Sequence, residues 1–401
     1  MSSFVAFVTF VFALSELTLA RSNALHSTYH MRASSLPLRH RVGQLIIMGL
    51  EGPETPPATA RLLTSMHPAG IILFARNIQS PHQCAQLLRI CQTAVKTPLF
   101  RCVDLEGGTV DRLRGIIAPA PSVSDVVRTD SDALFEKHGR IIGEEVRALG
   151  FNVDFAPVFD LALAASRSVL TSRTVSDDPQ QIIRYAQKFL KGLAAANVLG
   201  CGKHFPGLGG ANLDTHKELP AIQRTWDQMW SEDLKPYRDL HRQLPFIMVA
   251  HATYPHAMKK DKRTPASLSS NWITDILKKK IGYRGLVISD DLEMGGVLAA
   301  ASMEEAALDT IRAGSDMFLV CQKEEFVWRC YEAVLQEAER NSKFAPLVTR
   351  AADRVLRLKE SSKSLRQTMP KEPTSDEVEK LRKRMQEFTE EIQKESAASR
   401  L

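Results

Sequence analysis

The stretch VLGCGKHFPGLGGANLDTH, residues 198–216, places an apolar run directly before a glycine-rich loop. The run Val198–Phe205 lacks strict polar alternation, which is typical of a strand that is buried on both faces. Lys203 and His204 lie near the end of this run, where packing alone does not require a charge or an imidazole. The stretch therefore predicts a parallel strand whose carboxyl end carries functional side chains.

Seven other short apolar segments have the same character. They are Val42–Leu50, Gly70–Ala75, Leu99–Asp104, Val153–Asp160, Phe246–Ala252, Gly285–Asp290 and Met317–Cys321. Helix-like stretches such as Gln180–Ala195 and Glu304–Ala313 lie between them. Eight strands alternating with helices predict an α/β fold, a single (β/α)₈ TIM-type barrel. An open doubly wound sheet is the alternative fold, but no Gly-x-Gly-x-x-Gly opens a helix after any of these strands.

Polar side chains follow five of the predicted strands. They are Asp104, Asp160, the pair Lys203-His204, His251 and Asp290. The carboxyl ends of all strands in such a barrel share one face, which is where active sites are built. A single terminal aspartate would be an ordinary turn residue, whereas five charged or imidazole-bearing ends predict a polar active-site mouth.

The composition argues against several other classes of protein. The chain has 401 residues, of which 44% are hydrophobic and 24% charged, as is ordinary for a globular protein. The formal net charge of +6 is small, and the basic residues do not form one run, so we expect no nucleic-acid partner. The six cysteines show no CxxC spacing, and we expect buried free thiols rather than a disulfide framework or a zinc site.

The two ends of the chain differ from the middle, and we predict three regions. Residues 1–37 form an N-terminal extension, 38–362 the barrel, and 363–401 a charged helical extension. Phe4–Leu14 is an apolar run too short to span a bilayer, so we expect no stable membrane insertion. Thr18-Leu19-Ala20 resembles a signal-peptide cleavage site, but no basic residue precedes Phe4. A signal segment and a non-native start upstream of Met31 are the two interpretations.

The C-terminal extension carries a narrow apolar seam. Within Lys371–Ser396, every third or fourth position is apolar: Val378, Leu381, Met385, Phe388 and Ile392. Thr374 and Glu377 have the spacing of a capping box, which indicates a helix start. The seam predicts a helix that lies on the outer ring of the barrel, or one that makes a dimer contact. We accordingly expect a monomer or a weak dimer.

Asp214 and His216 lie two residues apart in the glycine-rich loop. A carboxylate beside an imidazole fixes one tautomer and raises the imidazole pKa, which suits a group that donates and later accepts a proton. The pattern alone is more typical of a solvated surface pair. A zinc site built from His204, His216 and His251 is a further alternative, but no histidine pair has the i, i+4 spacing of a helix.

These residues resemble the Lys-His-Phe-Pro-Gly…Asp-Ser/Thr-His signature of the β-N-acetylglucosaminidase branch of glycoside hydrolase family 3. Further segments are similar to the same family in the same order. They are Gly70–Phe74 with Arg76-Asn77, Val103–Gly108 with Arg112, Phe155–Asp160 with Arg173 and Asp178-Pro179, Ala250-His251 with Tyr254-Pro255, and Ser289–Met294. The resemblance covers about residues 41–360. It departs from the family at Leu208, where a histidine is usual, at Thr109, where an arginine is usual, and in a loop about one residue shorter.

The resemblance implies a retaining exo-β-N-acetylglucosaminidase that needs no cofactor. Asp290 would be the nucleophile and His216 the acid/base, oriented by Asp214. The positions that match the family's sugar-gripping residues are Asp104, Arg112, Arg173, Lys203 and His204. The implied substrate is a peptidoglycan fragment and the implied location the cytoplasm, with a periplasmic or secreted enzyme as the alternative if residues 1–20 are a signal. Chitin oligosaccharides, a phosphorylase activity and a non-catalytic sugar-binding barrel remain alternatives.

Several of these residues have structural interpretations as well. Asp290 or Asp291 would then be an ordinary turn residue, and Arg173 would pair with the nearby Asp177 or Asp178. Glu106 is expected to brace the Gly107-Gly108 turn rather than to touch the sugar. His251 is expected either to support a neighbouring residue or to contact substrate.

We predict that the activity needs no metal, because the proposed roles are filled by Asp290, His216 and Asp214 without a ligand set of metal spacing. The rate of cleavage of an aryl β-N-acetylglucosaminide should be unchanged after dialysis against EDTA. Activity that is lost on chelation and restored by zinc would contradict this prediction.

Overall fold

Parallel strands form where the sequence predicts them, and eight of them make a barrel in the computed structural model, which describes residues 32–211, 219–258 and 260–398. The strands are β1 (Ile46–Gly49), β2 (Gly70–Leu73), β3 (Phe100–Val103), β4 (Val153–Asp154), β5 (Cys201–Phe205), β6 (Phe246–Val249), β7 (Leu286–Asp291) and β8 (Met317–Val320). Their order in the sheet is β4-β3-β2-β1-β8-β7-β6-β5. Backbone bridges from Val153 to Leu199 and from Val158 to Lys203 join the two ends of the sheet. The predicted (β/α)₈ barrel is therefore confirmed.

Helices connect the strands and surround them. They are α1 (Pro57–Met66), α2 (Pro81–Ala94), α3 (Asp132–Ala148), α4 (Pro179–Ala195), α5 (Lys235–Leu240), α6 (Asn271–Lys280), α7 (Met303–Ala313), α8 (Glu324–Arg340), α9 (Ala345–Ser361) and α10 (Ser375–Ala398). Shorter helical segments are Leu38–Gly43, Val123–Val127, Arg167–Leu170, Thr171–Arg173, Trp226–Gln228, Met229–Asp233, Gly295–Leu298 and Lys363–Arg366. A short antiparallel hairpin, Leu105–Gly107 with Val110–Asp111, follows β3.

Local sequence sets several of the helix starts. The Ser80 hydroxyl accepts a hydrogen bond from the Gln83 amide at 3.1 Å, and Pro81 occupies the first position of α2. Asp178 caps α4 in the same way, with its Oδ1 2.9 Å from the Gln180 amide nitrogen. Such caps satisfy amides that have no partner within the helix and typically contribute about 1 kcal/mol each.

Apolar side chains fill the interior of the barrel. Phe100 and Phe246 meet edge to face with ring centroids 5.1 Å apart, and Phe155 also meets Phe246 edge to face, with centroids 6.3 Å apart. Cys102 and Cys201 lie in the same cluster. All six cysteines are buried free thiols, as expected. The packed interior supports the carboxyl ends of the strands from below.

The structure corrects the bounds of two predicted strands. Val42 belongs to the helix Leu38–Gly43, so β1 begins only at Ile46. The apolar segment Val153–Asp160 contains a strand of only two residues. Pro157 interrupts the ladder, because proline has no amide hydrogen to donate.

The C-terminal helix lies on the outer ring, as one of the two interpretations predicts. Met385, Phe388 and Ile392 are at most 1% exposed, covered by α3 and the Val123–Val127 helix. The Thr374–Glu377 capping box is present, with the Thr374 amide 2.8 Å from Glu377 Oε2. The apolar seam is therefore buried within the chain itself. No helix of the described residues is long and apolar enough to cross a membrane.

Candidate active site

A cavity of about 240 Å³ opens at the carboxyl end of the barrel. Six residues predicted for the site from the sequence line it: Asp104, Arg112, Arg173, Lys203, His204 and Asp290. They come from strand ends and loops that are far apart in sequence and that the barrel brings together. The other two, Asp214 and His216, lie outside the described residues, although Ala211, which precedes that segment, also lines the cavity.

A buried carboxylate organises the cations on one wall. Glu106, on the hairpin after β3, accepts two hydrogen bonds from Arg173, from Nε to Oε2 and from Nη2 to Oε1, both at 2.8 Å. Lys203 Nζ lies 2.6 Å from Glu106 Oε1 and 2.8 Å from Asp104 Oδ1. Two carboxylates and two cations thus form one continuous network, and bidentate pairing fixes the plane of the guanidinium.

The network keeps its members ionised in spite of burial. Burial alone would raise the pKa of Glu106, but Arg173 and Lys203 outweigh it and hold that pKa well below the usual range of a glutamate. Burial likewise opposes the charge on Lys203, and the attraction of Asp104 and Glu106 raises the pKa of its amine overall. The wall therefore presents fixed charges, which make strong hydrogen bonds to hydroxyl groups.

Asp160 holds the β5 end of the site in position. Its Oδ2 lies 2.7 Å from His204 Nδ1, while its Oδ1 accepts a hydrogen bond from the amide of Leu208 at 2.7 Å. Because the carboxylate accepts from Nδ1, Nε2 is left as the other hydrogen-bonding atom of the imidazole. The contact with the Leu208 amide fixes the backbone where the chain turns into the loop, and the Leu208 side chain lines the cavity.

Adjacent aspartates at the end of β7 have different surroundings. Asp291 is 9% exposed, and its Oδ1 accepts hydrogen bonds from the amides of Glu293 and Cys321, both at 3.1 Å. Burial raises the pKa of Asp291 to about 7. Asp290 is more exposed, and its Oδ1 accepts a hydrogen bond from the Asp291 amide at 2.8 Å; both aspartates line the cavity. Asp291 thus has the contacts expected of a turn residue.

The structure decides between the two interpretations of His251. The side chain is fully buried and is absent from the cavity lining. Its Nδ1 lies 2.7 Å from Ser267 Oγ, and its Nε2 lies 3.0 Å from the carbonyl oxygen of Asp291. Burial lowers the pKa of His251, which favours the neutral ring. His251 therefore supports the β7 end rather than contacting a ligand.

The contacts of Arg173 and Glu106 differ from those suggested by their neighbours in sequence. Arg173 pairs with Glu106, 67 residues away, and not with Asp177 or Asp178, and Asp178 is engaged in capping α4. The Glu106 carboxylate binds Arg173 and Lys203 rather than bracing the glycine turn that follows it. Sequence reasoning also missed the contact of Asp160 with His204, for which the only signal was that both follow strands.

Arg112 completes the lining on the hairpin side. Its guanidinium lies over the Phe74 ring, with 5.6 Å from the guanidinium carbon to the ring centroid. Its Nε is buried and has no hydrogen-bond partner among residues 32–211, 219–258 and 260–398. A buried donor without a partner costs free energy, which a ligand acceptor would recover. In the described part of the chain, no group of three or more His, Cys, Asp or Glu side chains is placed to hold a metal ion.

Known proteins resemble this chain over most of its length. The family model of the glycosyl hydrolase family 3 N-terminal domain matches residues 37–358. A beta-hexosaminidase of Idiomarina loihiensis is 33% identical over 301 residues, which cover 74% of this chain and 89% of the relative. A beta-hexosaminidase of Pseudomonas aeruginosa is 38% identical over 261 residues, which cover 64% of this chain and 76% of the relative.

A solved structure agrees with the sequence matches. It is a glycoside hydrolase family 3 β-N-acetylglucosaminidase from Paenibacillus sp. str. FPU-7, 30% identical to this chain, with a TM-score of 0.81. The superposition covers 88% of this chain and 69% of that protein. The residues matched by the family model include all eight barrel strands and leave α10 outside.

We predict that Glu106→Gln destabilises the protein by about 3–5 kcal/mol, because it removes one partner of a buried ion pair. The pKa of Glu106 is lowered by folding, so its contribution is complete above the pKa of an unfolded glutamate, about 4.3, and is lost as the pH falls below it. Urea unfolding should therefore show a difference in the free energy of unfolding between the variant and the parent protein. This difference should be constant between pH 8 and 5 and should shrink below about pH 4.

The matched control is Glu136→Gln, which changes an acid on α3 that pairs with Lys191 and Arg140 at the surface. This variant should unfold almost as the parent protein does. Two outcomes would contradict the assignment of Glu106 as the ionised anchor of the wall. One is an equal loss of stability in the two variants, and the other is a loss of stability in Glu106→Gln that persists unchanged at pH 3.

Proposed function

This chain belongs to glycosyl hydrolase family 3 and is a glycoside hydrolase, and we propose that it removes terminal β-linked N-acetylglucosamine with retention of configuration. The observation that carries the proposal is the position of Asp290, which lines the same cavity as the Glu106 network. The names of the similar beta-hexosaminidases and of the Paenibacillus β-N-acetylglucosaminidase support the choice of sugar.

The cavity has the mixed lining that a pyranose ring requires. On one side lie the charged groups of Asp104, Lys203 and Arg173 and the imidazole of His204, which suit the hydroxyls of a terminal sugar. Elsewhere the lining is apolar and suits the carbon faces of the ring: Val110, Val169, Leu170, Leu208 and Met294. We assign the terminal sugar to the charged side, with Arg112 Nε, which has no partner in the described part of the chain, as a further donor.

In the first step of the proposed reaction, the Asp290 carboxylate attacks the anomeric carbon and the bond to the leaving oxygen breaks. A covalent glycosyl-enzyme forms and the leaving oxygen takes a proton. Asp290 suits this role better than Asp291, because it is the more exposed of the two, whereas Asp291 is buried and its Oδ1 accepts two backbone hydrogen bonds. Burial also favours the protonated form of Asp291 near neutral pH, and a protonated carboxyl is a poor nucleophile.

We assign the transfer of this proton to His216, which Asp214 orients. His216 donates it to the leaving oxygen in the first step and takes one from water in the second, when the water oxygen displaces Asp290 from the anomeric carbon. Both residues lie outside the described residues, so the assignment rests on the family resemblance and on the lining residue Ala211, three positions before Asp214. We assign peptidoglycan fragments as the natural substrate on the resemblance alone.

We predict that Asp290→Ala lowers turnover of an aryl β-N-acetylglucosaminide by at least about 10³-fold, because it removes the covalent route. Asp291→Asn is the matched control: its amide oxygen still accepts from Glu293 and Cys321, so most of the activity should remain. A 2-fluoro sugar with a good leaving group should attach to Asp290, as read by peptide mass spectrometry. A label on Asp291, or the loss of all activity in Asp291→Asn alone, would overturn the assignment.

We predict that His216→Ala damages cleavage of a disaccharide far more than attack on an activated aryl glycoside, because only a poor leaving group needs the proton. Asp214→Ala should show the same pattern more mildly. With the activated substrate, the second step should limit His216→Ala, and azide should restore turnover by replacing the activated water. Comparison of kcat/KM across leaving groups, with and without azide, tests this. Equal losses for every leaving group and no response to azide would make His216 a binding or structural residue.

A further inference from the structure

The C-terminal helix α10 contacts the loop that supports the active-site hairpin as well as the outer ring. Its buried face rests on α3, where the Phe388 ring stacks on His138 with centroids 5.7 Å apart and the planes inclined by 28°. Its N-terminal and central turns face residues 116–119, and its C-terminal turn faces the Val123–Val127 helix. The segment 112–125, here called the support loop, leads from the hairpin into the first turn of that short helix.

Polar side chains of α10 donate to backbone carbonyls of the support loop. Arg382 Nε lies 3.1 Å from the carbonyl oxygen of Ile117, and its Nη2 lies 3.4 Å from that of Ile116. Ser396 Oγ lies 3.1 Å from the carbonyl oxygen of Asp125. These contacts go to main-chain atoms, so they fix the path of the loop whatever its side chains are.

The opposite side of the support loop contacts the hairpin. The Ala120 carbonyl accepts a hydrogen bond from the amide of Gly108 at 3.0 Å, and the Ala120 amide donates to Asp111 Oδ2 at 3.0 Å. The approach at the turn is close: a Cβ on Gly107, whose φ is +89°, would lie 2.2 Å from the carbonyl oxygen of Pro121. Movement of the support loop therefore displaces the hairpin directly.

The hairpin carries the anchor of the charged wall. Glu106 lies on its first strand, and Arg112 follows its second strand into the support loop. A continuous series of contacts thus runs from α10 through the support loop to Glu106 and to Arg112. It lies wholly within the described residues, and its first member is outside residues 37–358, the part matched by the family model.

We propose that α10 is a positioning element of the active site, and that Arg382 is a positioning residue that holds the hairpin in the geometry that binds the terminal sugar. The ligand class, an N-acetylglucosamine glycoside, rests on the proposed function. Arg382 does not touch the ligand, because it acts through the main chain of Ile116 and Ile117 on the outer side of the loop.

The test compares Arg382→Ala with Lys383→Ala, its neighbour on the same helix. Lys383 is 74% exposed on its side chain and pairs only loosely with Glu387, at 3.8 Å, so both variants remove one positive charge from one helix. Arg382 also pairs with Glu379, and Glu379→Gln controls for the loss of that pair. Point variants are preferable to truncation, since removing α10 would expose Met385, Phe388 and Ile392 together.

Two measurements are made on the full chain, well below its unfolding temperature. In Arg382→Ala, hydrogen exchange without ligand should accelerate at the amides of Gly108 and Ala120, with no change in the barrel strands. Titration calorimetry should show N-acetylglucosamine binding weakened by about fivefold, the effect of one hydrogen bond. Arg382→Lys can still donate to one carbonyl, so it should recover part of the slow exchange and part of the binding affinity. The two control variants, Lys383→Ala and Glu379→Gln, should match the parent protein in both measurements.

Every other outcome overturns the proposal. Unchanged exchange at Gly108 and Ala120 would show that Arg382 does not hold the loop. Faster exchange with unchanged binding would make the helix a structural element only, and so would an equal acceleration throughout the barrel. If the parent protein neither binds nor cleaves N-acetylglucosamine glycosides, the proposed function fails. The exchange data, which need no ligand, then still decide whether α10 holds the hairpin.

Discussion

The pairing of Glu106 with Arg173 and Lys203 is the interaction on which the rest of the site depends. An unpaired carboxylate or ammonium group in a barrel mouth would lose its charge or destabilise the fold, because burial penalises the ionised form. Glu106 is 2% exposed and Lys203 is 2% exposed, so neither could remain charged there alone. Arg173 and Lys203 together keep Glu106 ionised, and Asp104 and Glu106 together keep Lys203 ionised.

That mutual dependence also prepares the cavity for a neutral ligand. A sugar hydroxyl gains most from charged partners that are already oriented, because binding then pays no further cost for arranging them. Arg173 uses Nε and Nη2 on Glu106, and Lys203 is held between two carboxylates. The side chains are therefore fixed by one another before any ligand arrives.

The barrel was predictable because parallel strands buried on both faces leave continuous apolar runs, and the residues that close those runs were visible in the sequence. The bounds failed where a local feature intervened, as at Pro157, which has no amide hydrogen. The suggested pairing of Arg173 with a nearby aspartate is wrong for a different reason. Arg173 has Asp177 and Asp178 nearby in sequence, yet its partner is Glu106, because the barrel places the loop after β4 beside the hairpin after β3. Sequence spacing does not encode which strand ends are neighbours.

The contacts of His251 and Asp160 show the same limit. Both follow strands, and from the sequence alone both were candidates to face the cavity. Asp160 instead holds His204 and the Leu208 amide, and His251 holds the β7 end through the Asp291 carbonyl. At each of these strand ends, one polar side chain binds the backbone and a neighbour in sequence or space lines the cavity. Whether a residue lines the cavity or binds the backbone depends on the direction of its side chain. Side chains alternate between the two faces of a strand, so this direction is known only once the register of the strand is known.

The arrangement of the strands gives the two sides of the cavity different tasks in the proposed reaction. In the order β4-β3-β2-β1-β8-β7-β6-β5, strand β7 lies four positions from β3 and therefore across the barrel from it. A sugar held by the β3 and β5 side thus presents its ring toward Asp290 on β7. Asp290 needs a negative charge to attack, and a second carboxylate beside it would repel that charge. Burial raises the pKa of Asp291 to about 7 and so reduces the repulsion. In the proposed reaction, the raised pKa of Asp291 leaves Asp290 as the carboxylate that attacks.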